Sequence, residues 1–264
     1  APQNILWCHR RAGEMEIYFL SNQSASAQTG AITFRVKGKQ PEFWDPLNGT
    51  QSDAGMFASA RGRTEVPVSL APNGSLFVVF RRPADGTSVG PPNSSQFKPV
   101  AELTTGWKVT FDPKAGGPDR PVEFQILEDW SKRTEPEIRY YSGTATYRID
   151  FDLPAGVVPA DHRWFLDLGL VKNVAQLRFN GQDLGVLWTA PWQVEITPHL
   201  KTSHNHLEIT VANSWANRLI GDQRLPVGQR LTVSNFQKLK ANSPLAESGL
   251  LGPVTLQTLE HESK

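Results

Sequence analysis

The chain has 264 residues and a single cysteine, Cys8. One thiol excludes an internal disulfide and any zinc centre built on paired cysteines. No apolar run approaches the roughly 20 residues that a membrane-spanning helix needs. Charge of one sign is not in excess either, with 27 Lys and Arg against 26 Asp and Glu. A surface built to hold nucleic acid needs a marked basic surplus, so neither nucleic acid nor a membrane is an expected partner. The start, Ala1-Pro2-Gln3-Asn4, has no basic segment leading into an apolar stretch. A signal peptide is therefore not expected, and the start reads as a mature end or a cut within a longer protein. GxGxxG, P-loop, HExxH, CxxC and GxSxG patterns are all missing. Phosphate-cradling, metalloprotease and serine-hydrolase chemistries thus have no local signature. The lack of a disulfide fits cytoplasm and bacterial periplasm equally.

What is present points to β-structure. Hydrophobic residues at 39% with 20% charged give enough apolar surface to fold, unlike a disordered polyelectrolyte. Short segments of β-branched and aromatic residues recur between Gly, Asn and Pro. In the first part these are Glu14–Ser21, Ile32–Val36, Val66–Leu70 and Ser75–Arg81. In the second they are Gly143–Leu153, Arg163–Leu168, Val174–Phe179, Trp192–Ile196 and Leu207–Val211. Ala145, Tyr147, Ile149 and Phe151 alternate onto one face, and Asn48-Gly49, Asn73-Gly74 and Asn180-Gly181 read as tight turns. Between the two parts, Pro83 to Ser95 is rich in Pro, Gly and Ser and almost free of large apolar side chains. It reads as a linker at 84–96, joining a small β-sandwich at 1–83 to a larger two-layer domain at 97–264. The fold class expected is all-β throughout.

Candidate chemistry is sparse. Glu14 with Glu16, and Glu135 with Glu137, are the closest acid pairs, but neighbouring acids on a strand or loop read as solvated surface. Nothing in the sequence separates their pKa values as paired-acid glycoside hydrolysis requires. His199, His204 and His206 gather near one turn and read as a polar hairpin rather than a metal site. No cofactor is called for. Acids near Asp112, Asp119, Glu123, Glu128 and Asp129 could hold a structural calcium, but their spacing matches no EF-hand. Asn22, Asn48, Asn73 and Asn93 each begin an Asn-x-Ser/Thr triplet, which matters only in a eukaryotic secretory route.

The aromatics carry more. The chain has eight tryptophans. Trp164 alternates with Leu166 and Leu168, as a core residue should. Trp188 and Trp192 bracket a Thr-Ala-Pro turn, where a ring is free either to stack on a sugar face or to plug the end of a sandwich. The run Asn213 to Gln223 (NSWANRLIGDQ) leaves an apolar strand and gathers amide, guanidinium and carboxylate groups around Trp215. Such a set either caps a helical turn or supplies the bidentate donors and acceptors that sugar hydroxyls require.

In order, the phrases YYSGTATYRIDFDLP (140–154), FLDLGLVKNVAQLRFNGQDLGVLWTAPWQVEIT (165–197), NHLEITVANSWANRLIGDQ (205–223) and SGLLGPVTL (248–256) resemble the jelly-roll sugar-binding domain of family two glycoside hydrolases. HRR with EIYFLSNQ (9–23), FRVKGKQPEFWDP (34–46) and NRLIGDQRLP (217–226) are similar to the C-terminal part of α-L-rhamnosidases of glycoside hydrolase family 106. This resemblance implies a small β-sandwich followed by a galactose-binding-like jelly roll. It also implies that the catalytic carboxylates lie in a barrel region that this chain does not contain, so no catalytic residue is assigned. Implied partners are carbohydrate and the catalytic domain of a longer protein, in a periplasmic or extracellular setting. By position, the loop with Asn213, Asn217, Arg218, Asp222 and Gln223, with Trp188 and Trp192 nearby, corresponds to the loop that touches sugar in family two domains.

Overall fold

The computed structural model describes residues 4–84, 86–90, 93, 97–157, 159, 162–235 and 238–259. The chain divides into two compact units that part before Phe97. Each has its own apolar core. Both are β-structures, as the alternation and turn chemistry require.

Among the described residues the first unit has strands β1 (Ile5–Ala12), β2 (Met15–Asn22), β3 (Gln28–Phe34), β4 (Lys39–Trp44), β5 (Gln51–Asp53), β6 (Met56–Ala60), β7 (Arg63–Leu70), β8 (Ser75–Pro83) and β9 (Ser88–Val89). One sheet runs β1-β2-β8-β4-β5 and the other β3-β7-β6-β9. Tyr18, Leu20, Phe34, Val66, Val68, Val78 and Phe80 fill the core between them. Glu42 is nearly fully buried and is held by Arg81 and Arg82. Burial alone would raise its pKa. The hydrogen bonds from Arg81, Arg82 and Trp44 outweigh that and leave it below the ordinary carboxylate value.

The described part of the expected linker is ordered on this unit. Ser88 and Val89 pair with Phe57 and Met56. The Asn93 side chain accepts from Met56 N at 2.9 Å and donates to the carbonyls of Met56 and Pro67. Composition was a poor guide here because the segment is held by polar bonds to the backbone rather than by apolar burial.

The second unit contains β10 (Phe97–Glu102), β11 (Trp107–Phe111), β12 (Val122–Phe124), β13 (Thr144–Phe151), β14 (Trp164–Asp167), β15 (Leu170–Lys172), β16 (Val174–Phe179), β17 (Gln182–Leu187), β18 (Gln193–Glu195), β19 (Asn205–Ala212), β20 (Gly249–Gly252) and β21 (Thr255–Leu259). A six-stranded sheet runs β12-β11-β13-β19-β16-β17, a four-stranded sheet β10-β21-β14-β18, and β15 pairs with β20. Ala145, Tyr147 and Ile149 of β13 lie in register with Val211, Ile209 and Leu207 of β19. They share the core with Trp164, Leu166 and Leu256 of the four-stranded sheet. Asn180 (φ 49°) and Gly181 (φ 83°) make the β16–β17 turn, the left-handed pair that a two-residue hairpin demands.

Two short helices interrupt the strands, α1 (Pro136–Arg139) and α2 (Ala216–Asp222). Helix α2 begins directly after β19 and lays Ile220 and Gly221 inward. Gly221 is required by packing, since a Cβ there would stand 2.7 Å from the Tyr140 Cβ.

In the core, the buried Tyr147 hydroxyl receives the Trp130 indole N–H at 2.6 Å and the Leu250 N–H at 3.1 Å. Burial drives the phenol pKa well above its ordinary value, so it stays a neutral junction at any physiological pH.

Candidate carbohydrate site

Helix α2 and its flanks gather five of the seven residues singled out in the sequence. Most of their polar atoms face inward. Asn213 accepts from Gly143 N at 3.0 Å and donates to Tyr141 O and Ser248 Oγ. Asn217, fully buried, accepts from Ala246 N and donates to Ala246 O and Ser248 Oγ. These two amides tie the start of the helix to the segment leading into β20. Asp222, also buried, accepts through Oδ2 from the backbone N and hydroxyl of Thr232 at 2.8 and 2.6 Å. It thereby anchors the loop that follows the helix.

Arg218 differs from its neighbours. Its backbone N–H donates to the Ser142 hydroxyl, and its Nη1 lies 3.6 Å from Asp222 Oδ1. Nε and Nη2 of Arg218, and Oδ1 of Asp222, are buried without a hydrogen-bond partner among the described residues. Gly116 lies against the guanidinium. A Cβ there would come 3.4 Å from Nη2 and collide with Leu231. Buried donors of this kind are rare, because each costs about 1–3 kcal/mol when left unmade.

The tryptophans separate. Trp188, just after β17, is 61% exposed, and Trp215 at the start of α2 is 67% exposed. Trp192 is only 8% exposed and belongs to the core, where its carbonyl accepts from Leu168 N. The expectation that Trp192 sits at a turn with a free ring is therefore corrected. The residue directly precedes β18, and its ring is packed in the core. Gln223 is exposed beyond the last turn of the helix. Trp215 stood within the quoted loop but was not singled out as a binding residue. Its position in a polar run at a strand exit, just after Asn213 and Ser214, was the available signal.

The other candidates resolve into local structure. Asp112 and Asp129 cap short helical turns through Lys114 N and Ser131 N, and Asp129 also takes Ser248 N. His206 pairs with Asp150 at 2.6 Å. Among the described residues, no three His, Cys, Asp or Glu side chains converge as metal ligands do. Glu16 engages His9 at 2.6 Å. Glu135 is gripped by Arg133, whose hydrogen bonds hold its carboxyl down to about 2. Arg163 likewise lowers Glu195. Among the described residues, no helix is long and apolar enough to cross a membrane.

Residues 1–58 match the family described as alpha-L-rhamnosidase, and residues 124–242 match the glycosyl hydrolase 2 galactose-binding domain-like family. The solved rhamnosidase from Novosphingobium sp. PP1Y is 38% identical over 96% of this chain, with a TM-score of 0.85, and the match covers 24% of that protein. A curated protein of Formosa agariphila with the name "Putative beta-glucuronidase" is 33% identical over 184 residues, which is 61% of this chain and 16% of its own length. The chain thus spans a quarter or less of the length of these two proteins. The first segment of this chain is thus similar to α-L-rhamnosidases of glycoside hydrolase family 106, and residues 124–242 of its second unit are similar to the galactose-binding-like domain of family two glycoside hydrolases.

Proposed function

We propose that the chain is the carbohydrate-contacting, non-catalytic accessory region of an α-L-rhamnosidase-like hydrolase acting on rhamnose-containing glycans, of plant type or other. Its catalytic domain belongs to the rest of a longer periplasmic or extracellular protein. The observation that carries this reading is the Arg218 guanidinium, buried beside Asp222 with two nitrogens unpartnered among the described residues. A sugar hydroxyl pair complements such a donor fork, and α2 holds it on a fixed backbone. Trp188, Trp215 and Gln223 supply exposed stacking and hydrogen-bonding groups, while Asn213, Asn217 and Asp222 hold the loop in shape. Likeness to the Novosphingobium rhamnosidase along nearly the whole chain supports the choice of rhamnose.

Among the described residues, the carboxyls with clearly altered affinity, Glu42, Glu135 and Glu195, are all shifted downward. A general acid for glycoside cleavage needs the opposite shift. Grip without cleavage is the chemistry this pattern supports.

One stacked ring and a few hydrogen bonds give about 4–5 kcal/mol, a Kd near millimolar. Titrating rhamnose-containing oligosaccharides against the chain while following tryptophan fluorescence tests the reading. A saturable change is expected, and silence up to tens of millimolar removes it. A second reading, β-domains that only buttress an absent catalytic barrel, is favoured by the internal use of the Asn213 and Asn217 amides and by exposed Ile126 and Val186. It expects no sugar response.

A further inference from the structure

Strand β1 is an edge strand whose inner face is left largely uncovered beyond Ile5. Its register with β2 sets Trp7 opposite Leu20 and His9 opposite Tyr18, and cross-strand partners share a face of the sheet. Leu20 and Tyr18 point into the core, so Trp7 and His9 lie on that same inner face. Yet Trp7 is 68% exposed. The facing sheet ends at its own edge strand, β3. Beyond that edge, β1 and β2 form a shelf, and the space between shelf and edge is a pocket of about 410 Å³.

Three kinds of group line this pocket. Trp7 offers an indole. His9 lies flat on Tyr18, with ring centroids 4.2 Å apart and planes 8° from parallel, and is steadied by Glu16. Arg35 and Arg63 also line it. Among the described residues neither arginine makes an ion pair, and no Asp or Glu lines the pocket. Burial and the neighbouring Glu16 charge raise the Tyr18 phenol pKa, while a backbone hydrogen bond from Arg35 and its nearby charge work against that rise. Glu16 is the acid beside the pocket, and its carboxylate is engaged by His9 and Arg11.

We infer that this pocket of the first unit binds a pyranose bearing an anionic group, a carboxylate or a sulfate ester. The ring's apolar face would lie on Trp7, and its charge would meet Arg35 and Arg63. Guanidinium forks match planar and tetrahedral oxyanions bidentately. An exposed indole beside them selects a ring with CH groups over a bare anion. The volume falls within the ordinary range for small-ligand sites, about 300–1,000 Å³, and suits one or two sugar rings. The site is separate from the α2 loop, so it stands or falls independently of the reading proposed above.

The test uses the whole 264-residue chain and two-dimensional NMR of its indole and guanidinium N–H groups, with Trp7→Phe to assign the Trp7 signal. Probes are methyl glucuronide, glucose 6-sulfate and the neutral methyl glucoside. One or both acidic probes are expected to shift the Trp7, Arg35 and Arg63 signals saturably in the millimolar range, with the neutral probe at least about tenfold weaker. The two acidic arms distinguish carboxylate from sulfate. Replacing Arg35→Gln and Arg63→Gln together should bring acidic binding down to the neutral level. Both arginines are exposed, so the pair of substitutions is expected to fold. Equal binding of the neutral probe overturns the inference, as does undiminished binding by the double variant. Silence of these signals up to about 100 mM, the result expected if the shelf serves only to seat another part of a longer protein, overturns it too.

Discussion

Arg218 Nη1 stands 3.6 Å from Asp222 Oδ1, with both side chains under a tenth exposed and two further guanidinium nitrogens unpartnered among the described residues. Removing one member of a buried pair leaves the other charge uncompensated, at a cost of about 3–5 kcal/mol. Arg218→Met should therefore lower stability by that order in urea unfolding and abolish the fluorescence response to glycan. Arg218→Lys keeps the charge but loses the fork. It should retain most of the stability and little of the glycan response.

Trp188 and Trp192 should behave in opposite ways. Trp192→Ala opens a cavity at a core position and should cost about 3–5 kcal/mol. Trp188→Ala removes an exposed ring and should change stability by no more than about 0.5 kcal/mol. In the proposed reading, only Trp188→Ala reduces sugar binding without affecting folding. Chemical denaturation and glycan titration of the two variants side by side check this.

The contrast between those two rings marks what was legible in the sequence. Period-2 alternation placed Trp164, Leu166 and the inward face of β13 correctly, because a strand's two faces are written directly in its residues. Asn180-Gly181 was legible for the same local reason: few residue pairs accept two left-handed positions in succession. Trp192 was not legible, since whether a ring beside a turn is covered depends on strands distant in sequence. Strand β1 was also missed, because Trp7-Cys8-His9-Arg10-Arg11 lacks apolar alternation, and its inner face is largely uncovered. The polar character of the Asn213–Gln223 loop was plain. That Asn213 and Asn217 turn inward while Arg218 lacks partners follows from the position of Ser248 and Ala246, some 30 residues on.

Gly249 adopts φ 101°, and a Cβ there would stand 2.5 Å from Trp130 Nε1. Gly249→Ala would meet backbone strain and push the indole off the Tyr147 hydroxyl. A loss of about 2–5 kcal/mol is expected. Thermal unfolding should show it, together with an altered near-ultraviolet signal from Trp130.

Glu135 supplies a pH signature. Arg133 holds its carboxyl at about 2, below the ordinary 4.5. A group that binds its proton less readily when folded stabilises the fold above its unfolded value, and that contribution disappears as pH falls from about 4.5 to about 2. The side chain is partly exposed, so solvent screening limits the effect to about 1 kcal/mol or less. Melting temperatures from pH 6 to pH 2 should fall less steeply for Glu135→Gln than for the unaltered chain.

Saturation-transfer NMR on the intact chain with a rhamnose-containing oligosaccharide, followed over a day, bears on the proposed role at once. Transfer to the sugar ring protons with millimolar affinity, and no new anomeric signal from a cleaved product, is the predicted result. Absence of transfer at tens of millimolar, or steady growth of free rhamnose, would contradict it.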